Sequence, residues 1–310
     1  MMHVRVKVIF AVISMVMSLI ISATTAYANP PLVDAVWVKT NIGAPNKVFI
    51  DLRSKAAYLQ AHVPGAIQSS YNGDKWRKKK GQVKGMLPSK EHLEKLIGRL
   101  GIDNNTHVIL MHGGFSAAET AVATRIYWTF KVLGHNKVSI LNGGMGVYLK
   151  DKSNPTERGD IKPQVKTFTA TINSAILATS QEVKTSLENG ATLLDSRPTD
   201  QYMGVNKSGS ITRTGTLPGA ISVPGRWVTV NDKGTFRDIS ALKKLYRYAS
   251  VSDNKNRIVF CNTGHWASLG WFVDSELLGN KSSKMYDGSI AEWSRLSPTD
   301  YPMETKLSLQ

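Results

Sequence analysis

Ile50-Asp51-Leu52-Arg53 closes one apolar run of this sequence, and Leu194-Asp195-Ser196-Arg197 closes another, 144 positions further on. The echo continues downstream. His62-Val63-Pro64-Gly65-Ala66-Ile67 returns as Thr216-Leu217-Pro218-Gly219-Ala220-Ile221. An apolar run from His107 to Met111 that enters a Gly113-Gly114 turn returns as Arg257 to Phe260 entering Cys261-Asn262-Thr263-Gly264. Leu141-Asn142-Gly143-Gly144 returns as Tyr286-Asp287-Gly288-Ser289. Chance matches would not keep order and spacing together, so the chain holds two copies of one domain. An additional polar segment around 205–214 lengthens the second copy.

Within the first copy, short apolar runs alternate with segments of helical period. The pattern predicts a strand at 47–51, a helix at 90–100, a strand at 108–111, a helix at 117–133 and a strand at 137–141. Ser89 is placed to cap the first of these helices and Gly101 to stop it. Strand–helix alternation with short buried strands implies an α/β fold, a parallel sheet covered by helices on both faces. The expected organisation is a first domain at 29–155, a connector rich in Lys, Pro and Thr at 156–178, and a second domain at 179–310.

Residues 1–28 read as a cleaved signal peptide. Arg5 and Lys7 form a basic start, Val8 to Ile21 is an apolar core too short to span a bilayer, and Ala26-Tyr27-Ala28 offers a cleavage site before Asn29. The mature protein is therefore expected in the periplasm or outside the cell, without stable membrane insertion.

The 310 residues are 42% hydrophobic and 20% charged, ordinary for globular domains, with a formal net charge of +16. Much of that excess lies in one Gly-containing stretch holding Lys75, Arg77, Lys78, Lys79, Lys80 and Lys84. It reads as a solvated loop or as a surface that concentrates small anions or touches anionic lipid. No nucleic-acid motif accompanies it, so no nucleic-acid partner is expected. The histidines lack ligand spacing, so neither a metal site nor a cofactor is expected.

Cys261 is the single cysteine, which excludes an internal disulfide framework. It follows the strand-like Ile258-Val259-Phe260 and precedes a polar loop and a helix predicted at 266–278. Ligands of such sheets bind beyond the carboxyl ends of strands. There, loop N–H groups would face the sulfur and favour a thiolate.

Together these motifs resemble the tandem-domain rhodanese family, thiosulfate and 3-mercaptopyruvate sulfurtransferases. The resemblance rests on the paired Asp-x-Arg, His62-Val63-Pro64-Gly65-Ala66, Leu217-Pro218-Gly219-Ala220, the Cys261 loop, Tyr286-Asp287-Gly288-Ser289 and Glu292-Trp293. It implies two rhodanese-like domains, each a five-stranded parallel sheet flanked by helices, with catalysis in the second. It implies a ping-pong reaction in which Cys261 takes a sulfane sulfur from a small anionic donor and passes it to a thiol, sulfite or cyanide-like acceptor. Arg197 is assigned to the donor and Asp195 to steadying the site, with an internal ion pair as the structural reading of both. Asn262, Thr263, Gly264 and His265 are expected to contact substrate, Trp266 to pack at the helix start, and Arg213 and Arg226 to offer further cations.

The loop departs from the family pattern. Thiosulfate-using members carry two basic residues after the cysteine and mercaptopyruvate-using members carry Gly-Ser-Gly, whereas here the residues are Asn262-Thr263-Gly264. His112 stands where the nucleophile would align in the first copy, and it and His62 read as structural. Cysteine phosphatases are excluded, because the sixth and seventh residues after Cys261 are Ala267 and Ser268 rather than arginine. A sulfur carrier loaded and unloaded by a dedicated relay protein satisfies the same residues and stays open.

Overall fold

The computed structural model describes residues 29–253 and 256–307; the signal peptide read at 1–28 lies outside them. Two five-stranded sheets form, every pairing within them parallel. The first runs in the spatial order Leu32–Val33, Val138–Leu141, His107–Met111, Lys47–Asp51, Ile67–Gln68. The second repeats it as Leu177–Ala178, Lys284–Tyr286, Arg257–Phe260, Thr192–Asp195, Ile221–Ser222.

Alternation along the central strands explains the layers. Val108 and Leu110 face a cluster that includes Leu93, Leu96, Ile97 and Ile126 from the helices Lys90–Arg99 and Ala117–Val132. Ile109 and Met111 face the opposite way, onto Val38, Met145 and Tyr148. In the second copy Val259 faces Leu269, Trp271 and Phe272, while Ile258 and Phe260 face Val183, Leu217 and Trp293. The inner faces of the two sheets share one continuous apolar core.

Backbone hydrogen bonds repeat between the copies. Met145 N–H donates to the His112 carbonyl and Gly146 N–H to that of Gly113, matching Ile290 to Cys261 and Ala291 to Asn262. Each Pro-Gly turn is tied to a glutamate more than 80 positions further along the chain: Gly65 N–H donates to Glu157 and Gly219 N–H to Glu304.

Three details differ from the sequence expectation. Leu177–Ala178, inside the presumed connector, is the edge strand of the second sheet, a piece two residues long and too short for any period to register. The basic stretch is not a loop but an antiparallel ribbon of Lys78–Lys80 against Val83–Met86. The helix after Cys261 begins at His265 and turns π-helical from Phe272 to Leu277. The helices at Lys90–Arg99, capped by Ser89, and Ala117–Val132 form as expected.

The domains are joined by a buried ion pair. Arg125, fully buried on the helix Ala117–Val132, places Nη2 2.5 Å from Asp287 Oδ1 in the second domain. The Leu87 N–H donates to the other Asp287 oxygen at 2.7 Å. Removing one partner of a buried pair strands the other charge, so Asp287→Asn is expected to cost about 3–5 kcal/mol. Urea unfolding would measure it, and a loss below about 1 kcal/mol would contradict the assignment.

Two buried histidines set an acid limit. Burial pushes His107 and His112 from the usual 6.5 down to about 4. The unfolded chain protonates both near pH 6.5, the folded chain not until about pH 4, so their contribution is complete above 6.5 and is lost as pH falls. Tm should drop between about pH 6.5 and 4, and less in His112→Gln, which carries no titrating group there. Equal drops in the two proteins would exclude a neutral buried His112.

Candidate active site

Cys261 directly follows the central strand of the second sheet, where chain direction aims its loop into the crevice between the domains. Its N–H donates to Ser289 Oγ at 3.1 Å, and that hydroxyl donates to the Tyr286 carbonyl at 2.8 Å. Ser289 adopts a left-handed φ of 50°, where the first copy has Gly144 at 62°. A side chain there costs of order 1–3 kcal/mol, offset by the two hydrogen bonds the hydroxyl makes.

The loop is held from outside by arginines of the first domain. Arg77 donates through Nη2 to the Thr263 carbonyl and through Nε to that of Gly85, the latter at 2.8 Å. Arg125 donates to the Gly264 carbonyl at 3.1 Å. In a trans peptide the C=O and the next N–H point opposite ways. Pinning these two carbonyls therefore turns the N–H groups of Gly264 and His265 away from the arginines. Among the described residues, the N–H groups of Asn262, Thr263, Gly264 and His265 have no backbone or side-chain acceptor. Gly264 has φ +72°, and a Cβ there would collide with the Arg125 guanidinium.

A cavity of about 460 Å³ opens on this loop, bordered by Cys261, Asn262, Thr263, His265 and Trp266. Cys261 is only 1% exposed, at the cavity floor. Tyr71, Asn72, Arg77 and Glu119 of the first domain complete one wall; Ser208 and Ser210, from the additional segment of the second copy, complete another. Asn262 Nδ2 donates to Gln201 Oε1 at 2.7 Å, and Trp266 both borders the cavity and packs on Gly225.

His265 is fixed and neutral. Its Nε2 lies 3.1 Å from the Ala118 carbonyl, which only accepts, so Nε2 carries the proton and Nδ1 accepts from the Tyr71 hydroxyl at 3.2 Å. Burial, reinforced by Arg77, pushes its pKa down to about 3. An imidazole so placed orients groups but does not exchange protons near neutrality.

Arg197 does not reach the cavity, contrary to the sequence expectation of a donor contact. It is 1% exposed, its Nη2 sits 2.6 Å from Asp195 Oδ2, and the same nitrogen donates to the Gly215 carbonyl at 2.8 Å. Arg53 does the same with Asp51 and the Ala61 carbonyl. Both Asp-x-Arg motifs are internal clamps between a strand end and its Pro-Gly turn. Arg213 is consumed by the carbonyls of Trp293, Ser294 and Tyr301, and Arg226 pairs with Asp232 at the surface. Among the described residues, the lysine or arginine that lines the cavity is Arg77. Sequence reasoning had it inside the basic stretch but had no signal that it turns inward while the flanking lysines turn out. Among the described residues, no group of three or more His, Cys, Asp or Glu side chains is placed to hold a metal ion.

In the first copy His112 occupies the place of Cys261, fully buried with neither ring nitrogen hydrogen-bonded among the described residues. It borders a smaller cavity of about 270 Å³ together with Arg53, Phe115, Glu119 and Val122.

Comparison with known proteins agrees with this architecture. The rhodanese-like domain model matches residues 34–151 and again 179–296. A putative thiosulfate sulfurtransferase of Mycobacterium bovis is 34% identical over 274 residues, 86% of this chain and 95% of that protein. The thiosulfate sulfurtransferase of Gallus gallus is 29% identical over 252 residues, 80% of this chain and 83% of that one. Among solved structures, the 3-mercaptopyruvate sulfurtransferase SseA of Escherichia coli aligns with a TM-score of 0.70 at 24% identity, over 84% of this chain and 99% of that one. The anaerobic ergothioneine biosynthesis enzyme of Chlorobium limicola aligns with a TM-score of 0.74 at 23% identity, over 90% of this chain and 71% of that one. With both halves matched and relatives aligned along most of their length, this chain belongs to the tandem-domain rhodanese family and is a sulfurtransferase.

Proposed function

We propose that the protein is an exported sulfurtransferase that carries a sulfane sulfur as a persulfide on Cys261. The carrying observation is the single thiol at the floor of a cavity, beneath a run of N–H groups without protein acceptors and beside Arg77. The Cys261 thiolate attacks the outer sulfur of a small anionic donor of the thiosulfate or 3-mercaptopyruvate class. The donor's S–S or C–S bond breaks, and the remainder leaves as sulfite, or as the enolate of pyruvate, which takes a proton from solvent. The acceptor (a thiol, sulfite or cyanide) then attacks the outer sulfur of the persulfide and regenerates Cys261. The loop N–H groups are suited to the charge on the outer sulfur, and Arg77 supplies the positive charge that the loop itself lacks. Export to the periplasm or beyond is supported by the basic start, short apolar core and Ala26-Tyr27-Ala28 cleavage site.

One intact-mass experiment tests the scheme. Protein recovered from its native source should begin at Asn29; brief exposure to thiosulfate or 3-mercaptopyruvate should add one sulfur; cyanide should remove it as thiocyanate. Cys261→Ser should gain nothing. Failure of both donors to load the wild-type protein would discard the small-molecule reading and direct the search to a protein that delivers sulfur.

Arg77 provides the second test. A charge-assisted contact to an anion contributes about 1.5–3 kcal/mol, so Arg77→Gln should lower kcat/KM for thiosulfate at least about tenfold, with Arg77→Lys recovering part of the loss. A change within about twofold would remove Arg77 from donor binding.

A further inference from the structure

Among the described residues, Glu119 is the one acidic side chain lining the Cys261 cavity. Its position is hard to reconcile with a site that receives only anions, since a carboxylate in the wall raises the cost of bringing another negative charge close. The carboxylate has a structural duty: Oε2 accepts the Phe115 N–H at 2.9 Å, in the first turn of the helix Ala117–Val132. That uses one of its acceptor positions, and among the described residues no lysine, arginine or histidine forms an ion pair with it. Glu119 and Val122 also border the smaller His112 cavity, so this carboxylate stands where the two cavities meet. The guanidinium in the smaller cavity, Arg53, is already engaged by Asp51 and the Ala61 carbonyl. What remains between the two cavities is half-buried negative charge at the side of a sulfur-transfer site, with apolar Leu52, Ala57 and Val122 beside it.

We propose that Glu119 selects the acceptor: it binds an ammonium group, so the preferred acceptors are small thiols bearing a positively charged amine. This rests on the sulfurtransferase reading above and adds the acceptor's chemical class. A carboxylate on the same molecule would meet Arg77, so a zwitterionic aminothiol matches both charges in the wall. The acceptor's thiol gives its proton to solvent, and the thiolate attacks the outer sulfur of the Cys261 persulfide. A new S–S bond forms, the old one breaks with its electron pair returning to Cys261 Sγ, and the acceptor departs as its own persulfide. The donor anion and the cationic acceptor bind in turn, as ping-pong transfer requires, so charges of both signs in one cavity do not conflict.

The test compares cysteamine with 2-mercaptoethanol, which differ at the amine, on the mature protein loaded with thiosulfate. Discharge of the persulfide is followed by mass, with cyanide as a third acceptor. The ratio of the cysteamine rate constant to that of 2-mercaptoethanol should fall about tenfold or more in Glu119→Gln, which keeps an oxygen for the Phe115 N–H. Using the ratio removes the difference in intrinsic thiol reactivity. In the wild-type protein the same ratio should fall as salt rises, and this arm decides the matter should the variant not fold. A ratio unchanged within about twofold in both arms, with cyanide discharging the persulfide normally, overturns the role of Glu119 alone. Failure of cyanide to discharge it overturns the sulfurtransferase reading and this inference with it.

Discussion

A guanidinium shut away from solvent must find a countercharge where it lies, and Arg125 finds its carboxylate across the domain boundary. Asp287 and the Gly264 carbonyl are both in the second domain, while the arginine rides on the long helix of the first. Satisfying it fixes three things together: the approach of that helix to the Cys261 loop, the orientation of the 264–265 peptide, and the absence of a side chain at Gly264. Neighbouring contacts carry the same boundary outward, with Thr124 Oγ1 3.0 Å from Ser268 Oγ and the Tyr127 hydroxyl donating to Glu276 at 2.8 Å. The first domain has no thiol of its own. Its contribution is to hold the loop that does.

The duplication separates scaffold from chemistry. Both copies hold the residue after the central strand by the same pair of backbone hydrogen bonds, and both clamp a strand end to its Pro-Gly turn with an Asp-x-Arg fork. On that common frame the first copy puts His112 and Gly144, the second Cys261 and Ser289. The buried imidazole of the first copy offers no sulfur atom, whereas in the second copy Ser289 accepts strained backbone to hold the Cys261 N–H. The Phe115 N–H in the first copy is taken by Glu119, while the corresponding stretch after Cys261 keeps its N–H groups free of protein acceptors among the described residues. The difference between an open loop and a filled one is thus a few side chains on one backbone path.

How far the residues could be read in advance depended on how local their physics was. Apolar alternation revealed the central strands, Ser89 revealed a helix start, and the repeat revealed the doubled fold, because each is written within a few positions or in the chain's similarity to itself. Leu177–Ala178 escaped because an edge strand two residues long is defined by its neighbour, not its own pattern. Arg197 stayed open between a donor contact and an internal ion pair because an arginine near a site looks the same in sequence whether it faces a ligand or an aspartate two residues away.

The nucleophile's candidacy needed nothing beyond the chain: one cysteine, after a strand, before a polar glycine loop and a helix. The walls around it could not be read that way. Arg77, Tyr71 and Glu119 are more than 140 positions from Cys261, and they reach it because the Arg125–Asp287 pair and the shared apolar core fix the angle at which two domains meet. Local patterning encodes which backbone path a segment takes. Which charges confront the sulfur depends on long-range packing that buries one cation against one carboxylate.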